Sequence, residues 1–399
     1  MTQHHNSPYT RRGFIQGMSW GAAAMAFGMG ARATPAHGAG QSPPDWAVSG
    51  RYPAYVDEKT GVTVYNLTRS EHDDQVVYQT HPMWTPDMRY FMFYSRRSGA
   101  GMRPHLLELD SGKVRPLEMA GYQRGTMTWN STAFFYIAQD EVYVLDVVKH
   151  FQEEDRPRLL GRIPEGRRRY SGDVTVDADG SVLYFGAQLS EEEEKYAVLA
   201  FDLTTGETRT VVEVDFKVGH FQANPVRAGE LMFCWETGGD APQRTWFVKG
   251  DGSGLKPLYK EMYDEWVTHE VWWGPDYIIF TIWPYDENMR AKPHGIAEAS
   301  TATGPDGAMA ILAQYPAWHT HGSPDRKWAL GDDFDRNIWL VNVAARERKL
   351  LTQGHNTGEY KTHPHGTFTP DSRGLVFTSS RDKVENALYV PLPEWERLA

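Results

Sequence analysis

The strongest constraint on this chain is a phrase that it repeats. His363-Pro364-His365-Gly366-Thr367-Phe368-Thr369-Pro370-Asp371 runs into the apolar stretch Leu375-Val376-Phe377-Thr378. The same order of histidine, Pro-Asp turn and apolar run recurs at His81…Pro86-Asp87, followed by Tyr90-Phe91-Met92-Phe93-Tyr94. It recurs again at His220…Pro225, at His269…Pro275-Asp276 with one extra residue, and at His319…Pro324-Asp325. Asp173…Ala178-Asp179 is a weaker copy, and Ser131 marks one that has lost the signature. The turn positions 87, 131, 179, 226, 276, 325 and 371 are spaced by 44, 48, 47, 50, 49 and 46 residues. Repeats of roughly 40–50 residues, each with several short β-runs, are propeller blades. Seven copies therefore predict an all-β, seven-bladed β-propeller.

Closure is also legible. Blade copies tend to end in phrases such as Leu109-Asp110-Ser111-Gly112-Lys113 and Phe201-Asp202-Leu203-Thr204-Thr205-Gly206-Glu207. Asp57-Glu58-Lys59-Thr60-Gly61-Val62-Thr63-Val64 has that form but precedes the first copy. It is expected to supply the outer strand of the last blade, which leaves no open edge between the two ends of the ring. Residues 51–399 are thus read as one propeller and 37–50, rich in Gly, Ser and Pro, as a linker.

The first 36 residues read as an export signal. Thr10-Arg11-Arg12-Gly13-Phe14 is a twin-arginine pattern, Trp20–Met29 is weakly apolar, and Ala31-Arg32-Ala33 offers small residues for cleavage. The apolar run is too short and Gly-rich for a stable anchor. The expected mature protein is periplasmic or secreted, with no membrane anchor. The chain carries −11 formal charge, and loss of residues 1–33 removes three arginines and no acid, leaving −14. That surface argues against nucleic acid or anionic lipid as partner. The single cysteine, Cys234, lies in the apolar run Leu231–Trp235 and reads as a buried structural thiol. Nothing in the sequence bears on oligomeric state.

Equivalent positions of successive blades form a ring around the central channel. His81, His220, His269, His319 and His365 are therefore expected at one level, with His321 and His363 beside them, seven of the 15 histidines. Residues i and i+2 of a strand share a face, so His319-x-His321 and His363-x-His365 can each present two imidazoles to one ion. A third ligand from a neighbouring blade would leave positions open for substrate, as a catalytic metal requires. Imidazole ligands admit Mn, Zn, Fe or Ni, and Ca is a further option. Other chemistries have no motif here: there is no Gly-x-Ser-x-Gly, phosphate loop, CxxC or HExxH. Glu270, Asp332, Asp333 and Asp335 read either as paired carboxylates or as turn and ligand-orienting groups. Glu153–Arg169, with Arg167-Arg168-Arg169, is a solvated loop or a carboxylate-binding rim, and Pro284–Pro305 reads as an insertion near the channel mouth.

Val218-Gly219-His220-Phe221-Gln222-Ala223-Asn224-Pro225, Thr268-His269-Glu270-Val271-Trp272 and Thr362-His363-Pro364-His365 resemble the oligogalacturonate lyase family, over about residues 52–393 and most specifically from Gly219 onward. The resemblance implies a seven-bladed propeller with a manganese-type ion in the channel. It further implies β-elimination on short uronate oligosaccharides, an acidic substrate. His220 matches the family's base, and His269, His363 and His365 match its metal-binding histidines. The family's glutamine ligand is replaced by Tyr360, so His319 or His321 stands as substitute. A divalent ion on the uronate carboxylate would stabilise an enolate-like species while a neutral histidine takes the C5 proton. Arg244 is expected to hold carboxylates, followed by Arg336 and Arg169. His81, Tyr170, Trp273 and Tyr360 complete the substrate-contacting set. Trp272, Trp273 and Trp318 read as sugar-stacking or inter-blade core residues. The alternatives are a lyase for a glucuronate–rhamnose or ulvan-type polymer, in which His81 and Tyr170 would move the proton, a protein-binding propeller, and a glycoside hydrolase.

Overall fold

The computed structural model describes residues 43–99, 101–190, 192–237, 241–262, 265–284, 294–302, 309–355 and 363–398. The export segment, Tyr360 and much of the 284–305 insertion lie outside the described residues. Seven antiparallel sheets follow one another along the chain, the seven-bladed β-propeller that the repeat predicts. Blade four shows the plan. Val218–Ala223 is innermost, and Glu230–Trp235, Thr245–Lys249 and Lys256–Pro257 step outward from it.

The ring closes as expected. Thr63–Asn66 pairs with Asn386–Pro391, with Tyr65 opposite Tyr389, and so joins the chain's start to its last blade. A fifth strand, Ala54–Val56, adds outside it. The linker assignment for 37–50 needs correction at its described end: Asp45–Val48 forms one helical turn. Ala47 is buried, and the Trp46 ring lies 4.8 Å from that of Tyr389. The reason is apolar: Trp46 and Ala47 cover the seam where the ring closes.

The repeated turn has a local cause. In blades one, six and seven the hydroxyl before proline bonds the aspartate after it, Thr85–Asp87 at 2.6 Å, Ser323–Asp325 at 2.7 Å and Thr369–Asp371 at 2.6 Å. The same hydroxyl accepts the backbone N–H of the residue that opens the next strand, Tyr90, Trp328 or Gly374. Such side-chain turns fix where each apolar run begins. Packing between blades is close enough to exclude side chains. A Cβ on Gly186 would lie 2.6 Å from the Phe221 ring of the next blade.

Trp273 is part of this packing, which corrects its placement as a substrate residue. It is buried, its Nε1 donates to Ser323 O at 2.7 Å, and the Arg326 guanidinium covers its ring at 4.2 Å. Cys234 is buried as expected.

Candidate metal centre

The innermost strands are not regular where the histidines sit. Pairing slips between Gly219 and Gln222, between Thr268 and Val271, and between Ala317 and Thr320. Bulges of this kind redirect side chains. His220, His269 and His365 also hold left-handed backbone, with φ of 49°, 56° and 48°. A non-glycine residue adopts that conformation at a cost, and such costs gather at functional sites. The outcome is that imidazoles from blades four to seven converge.

His319 is at the middle of the cluster. Its ring centroid is 4.2 Å from that of His269, 4.1 Å from His365 and 5.2 Å from His363. Asp332 lies beneath it, accepting the His319 backbone N–H at 2.8 Å and facing Nδ1 at 3.1 Å. His363 Nδ1 is 4.0 Å from the same carboxylate. His319, Asp332 and His363 each bring one donor atom to within 4.8 Å of the others, a spacing suited to one cation.

Burial disfavours the charged forms of His220, His269, His363 and His365. Burial pushes His365 down to about 3 and holds His220 below its ordinary range. His269 is depressed further, by burial and then by His319, His220, Arg244 and His365 around it. Burial opposes ionisation of Asp332, yet the His319 contacts outweigh it and leave the carboxyl below its usual range. An ionised Asp332 only accepts, so the His319 Nδ1 that faces it donates, which leaves Nε2 as the ring nitrogen available to a cation.

The structure also shows a group that the sequence reading missed. Tyr78 follows the inner strand Asp74–Val76 of blade one. Its hydroxyl meets His269 Nδ1 at 3.1 Å, and its ring packs edge-on to His220 and His365 at 5.6 and 5.1 Å. The only signal was its place three residues before His81, and an isolated tyrosine there reads as core.

Several expected members are placed elsewhere. His81 is turned to other partners: Thr80 holds Nδ1 at 2.8 Å and Val174 O holds Nε2 at 3.0 Å, so both nitrogens are engaged. His321 is divided from His319 by the bulge, and its Nδ1 accepts the Phe368 N–H at 3.3 Å in the next blade. Alternation fails across a bulge, so this His-x-His pair does not converge. Tyr170 donates to Gln139 O at 2.8 Å, under the Arg124 guanidinium at 4.9 Å. Arg169 lies on the exposed loop beside it. Arg244 is only 5 % exposed, and its Nε is committed to Glu270 at 2.6 Å. It is a buried counter-ion below His220 and His269, where an open carboxylate clamp was expected. Arg336 is buried near His363, which feels its charge.

His220 stands one blade away from His269. Its Nε2 faces Glu236 at 3.5 Å, while Nδ1 is buried without a hydrogen-bond partner. His269 Nε2 and His363 Nδ1 are likewise buried without partners. Orphaned imidazole nitrogens, one of them 4.0 Å from Asp332, are what a divalent cation would satisfy. The donors present fit one.

Fold and cluster together define a class: a propeller with an imidazole-rich, carboxylate-supported centre in its channel. Comparisons with known proteins point more narrowly. The chain is 26 % identical over 219 residues to an oligogalacturonide lyase of Pectobacterium atrosepticum, and 25 % over 226 residues to an oligogalacturonate lyase of Dickeya dadantii. These alignments take in 48 % and 50 % of this chain, and it spans about half the length of those relatives, 54 % and 56 %. The oligogalacturonate lyase structure from Vibrio parahaemolyticus matches with a TM-score of 0.74 at 21 % identity, over 86 % of this chain and 97 % of that one. An oligogalacturonate lyase in complex with manganese matches equally, TM-score 0.74 at 20 % identity, over 86 % and 96 %. These structural likenesses establish the fold. No family model matches the chain.

Proposed function

We propose that this protein is a divalent-cation-dependent lyase that cleaves short uronate-containing oligosaccharides by β-elimination. The observation that carries the reading is the gathering of His269, His363 and His365 around His319, which Asp332 holds, with His220 one blade away. The similarity to lyases of uronate oligosaccharides supports the same reading.

His269, His319, His363 and His365 would hold the cation, with Asp332 orienting His319 or joining as a ligand. When bound, a cation there neutralises a substrate carboxylate and so acidifies the neighbouring C–H. The protein's own groups do the rest. His220 is neutral because burial opposes its charge. Its Nε2 is turned to Glu236, so the free lone pair is on Nδ1. That nitrogen takes the C5 proton as the C4–C5 double bond forms and the C4–O bond breaks, the departing oxygen is protonated by water, and Glu236 stabilises the imidazolium that results, assistance worth about 10²–10⁴-fold. Tyr78 fixes the His269 ring by accepting its Nδ1–H, which leaves the Nε2 lone pair for the cation. The buried Arg244–Glu270 pair supports this floor.

Manganese is the first candidate, given the manganese complex of a structural relative. We further propose that residues 1–36 export the protein, on the strength of Arg11-Arg12 and the apolar run behind them.

The test is absorbance of the unsaturated uronate product from di- and trigalacturonate and from glucuronate-containing oligosaccharides. EDTA should abolish the signal, Mn²⁺ should restore it, and His220→Ala should eliminate it. Silence on every uronate would refute the proposal.

A further inference from the structure

An aromatic wall runs outward from the cluster. The Trp318 ring lies 4.8 Å from His269 and 6.3 Å from His363, and Phe334 lies 5.2 Å from Trp318. Trp283 braces Phe334 at 5.5 Å and is itself fixed by donating Nε1 to Ala317 O at 3.0 Å. Phe334 is 52 % exposed, whereas propeller aromatics that serve packing, such as Trp273 and Phe221, are buried. His363, 6.5 Å from Phe334, is also partly open, with 22 % of its side chain exposed. The wall therefore meets solvent at the point where it meets the cluster.

Among the described residues, the exposed charge on the hairpin beside the wall is acidic. Phe334 sits on the hairpin between Trp328–Asp333 and Ile338–Asn342, next to Asp333 and the exposed Asp335. Asp333 is occupied with Asn337 and Trp339, and Arg336, the one cation of the turn, is buried. Among the described residues, a second substrate carboxylate placed here would meet an acid and an apolar face, and no exposed cation of the turn. An uncharged sugar presents C–H faces that stack on aromatic rings without that repulsion.

We propose that Trp318 and Phe334 form a subsite for an uncharged sugar adjoining the reacting uronate, so that the favoured substrate is a mixed oligosaccharide of uronate and neutral or deoxy sugar. The proposal rests on the lyase reading for the identity of the reacting residue. The wall itself is independent of that chemistry.

Two probes of equal length separate the cases: a disaccharide with rhamnose on O4 of glucuronate, so that elimination at the uronate releases rhamnose, and digalacturonate. Tryptophan fluorescence titration measures their affinities, and product absorbance measures kcat and KM. The mixed disaccharide should bind more tightly, and Phe334→Ala should raise its Kd and KM about tenfold, the size of one good aromatic contact, with kcat little changed. Digalacturonate affinity should stay within about twofold for Phe334→Ala and should improve for Asp335→Asn, since exposed like charges repel only modestly. Phe334→Tyr should behave as the parent. Equal losses on both probes, or no loss on either, would overturn the subsite. If neither probe yields unsaturated product the lyase reading fails, and the fluorescence titrations still decide the subsite.

Discussion

Replacing Asp332 by asparagine tests the cluster at its least redundant point. One carboxylate, 1 % exposed, accepts the His319 backbone N–H at 2.8 Å, receives Nδ1–H at 3.1 Å and faces His363 at 4.0 Å. Asparagine keeps the volume and one oxygen for the backbone bond, so the fold should persist. Its amide N–H₂ cannot accept from Nδ1–H, which removes the reason for His319 to leave Nε2 available to a cation. Groups that orient a ligand typically contribute about 10–100-fold to metal affinity, or about 1.4–2.7 kcal/mol. We therefore expect Mn²⁺ titration by calorimetry to show a Kd raised about 10–100-fold, with the thermal midpoint of the metal-free protein nearly unchanged. Asp335→Asn, exposed and in the same hairpin, is the control for loss of one negative charge. An Asp332→Asn Kd within twofold of the parent, or equal to the control, would refute the assignment of Asp332 and His319 to the centre.

Trp273→Ala should cost about 3–5 kcal/mol, as for other buried large-to-small changes, seen by denaturant unfolding, with substrate KM unchanged; a raised KM at full stability would restore Trp273 to the substrate set. Acid should destabilise the metal-free fold through two histidines outside the cluster. Burial pushes His321 down to about 4 and His355 down to about 3. Unfolded histidine takes a proton near pH 6.5 and these two folded ones do not, so stability is full above that pH and falls as pH drops toward 4. Each contributes a slope of about 1.4 kcal/mol per pH unit in that window. Denaturant midpoints that stay flat between pH 6.5 and 4.5 would contradict this.

The sequence by itself determined the blade count, the closure and which blades carry histidine, because these depend on local signals. The turn Thr369-Pro370-Asp371 bonds within itself, and its spacing from Leu375 is read directly along the chain. Residue resemblance also pointed to His269, His363 and His365, whose rings gather around His319, and to His220 on the neighbouring blade. What escaped the sequence depended on orientation. Alternation put His319 and His321 on one face, but the bulge between Ala317 and Thr320 turned them to different partners. Ring position put His81 at the axis, yet its nitrogens are taken by Thr80 and Val174. Tyr78 joined the cluster from blade one with no repeat to announce it, and Arg244 went under the floor because a buried Glu270 needed a counter-ion. A repeat specifies which positions reach the channel. Only packed neighbours from other blades decide which nitrogen is left without a partner there, since those contacts join residues scores to hundreds of positions apart in the chain.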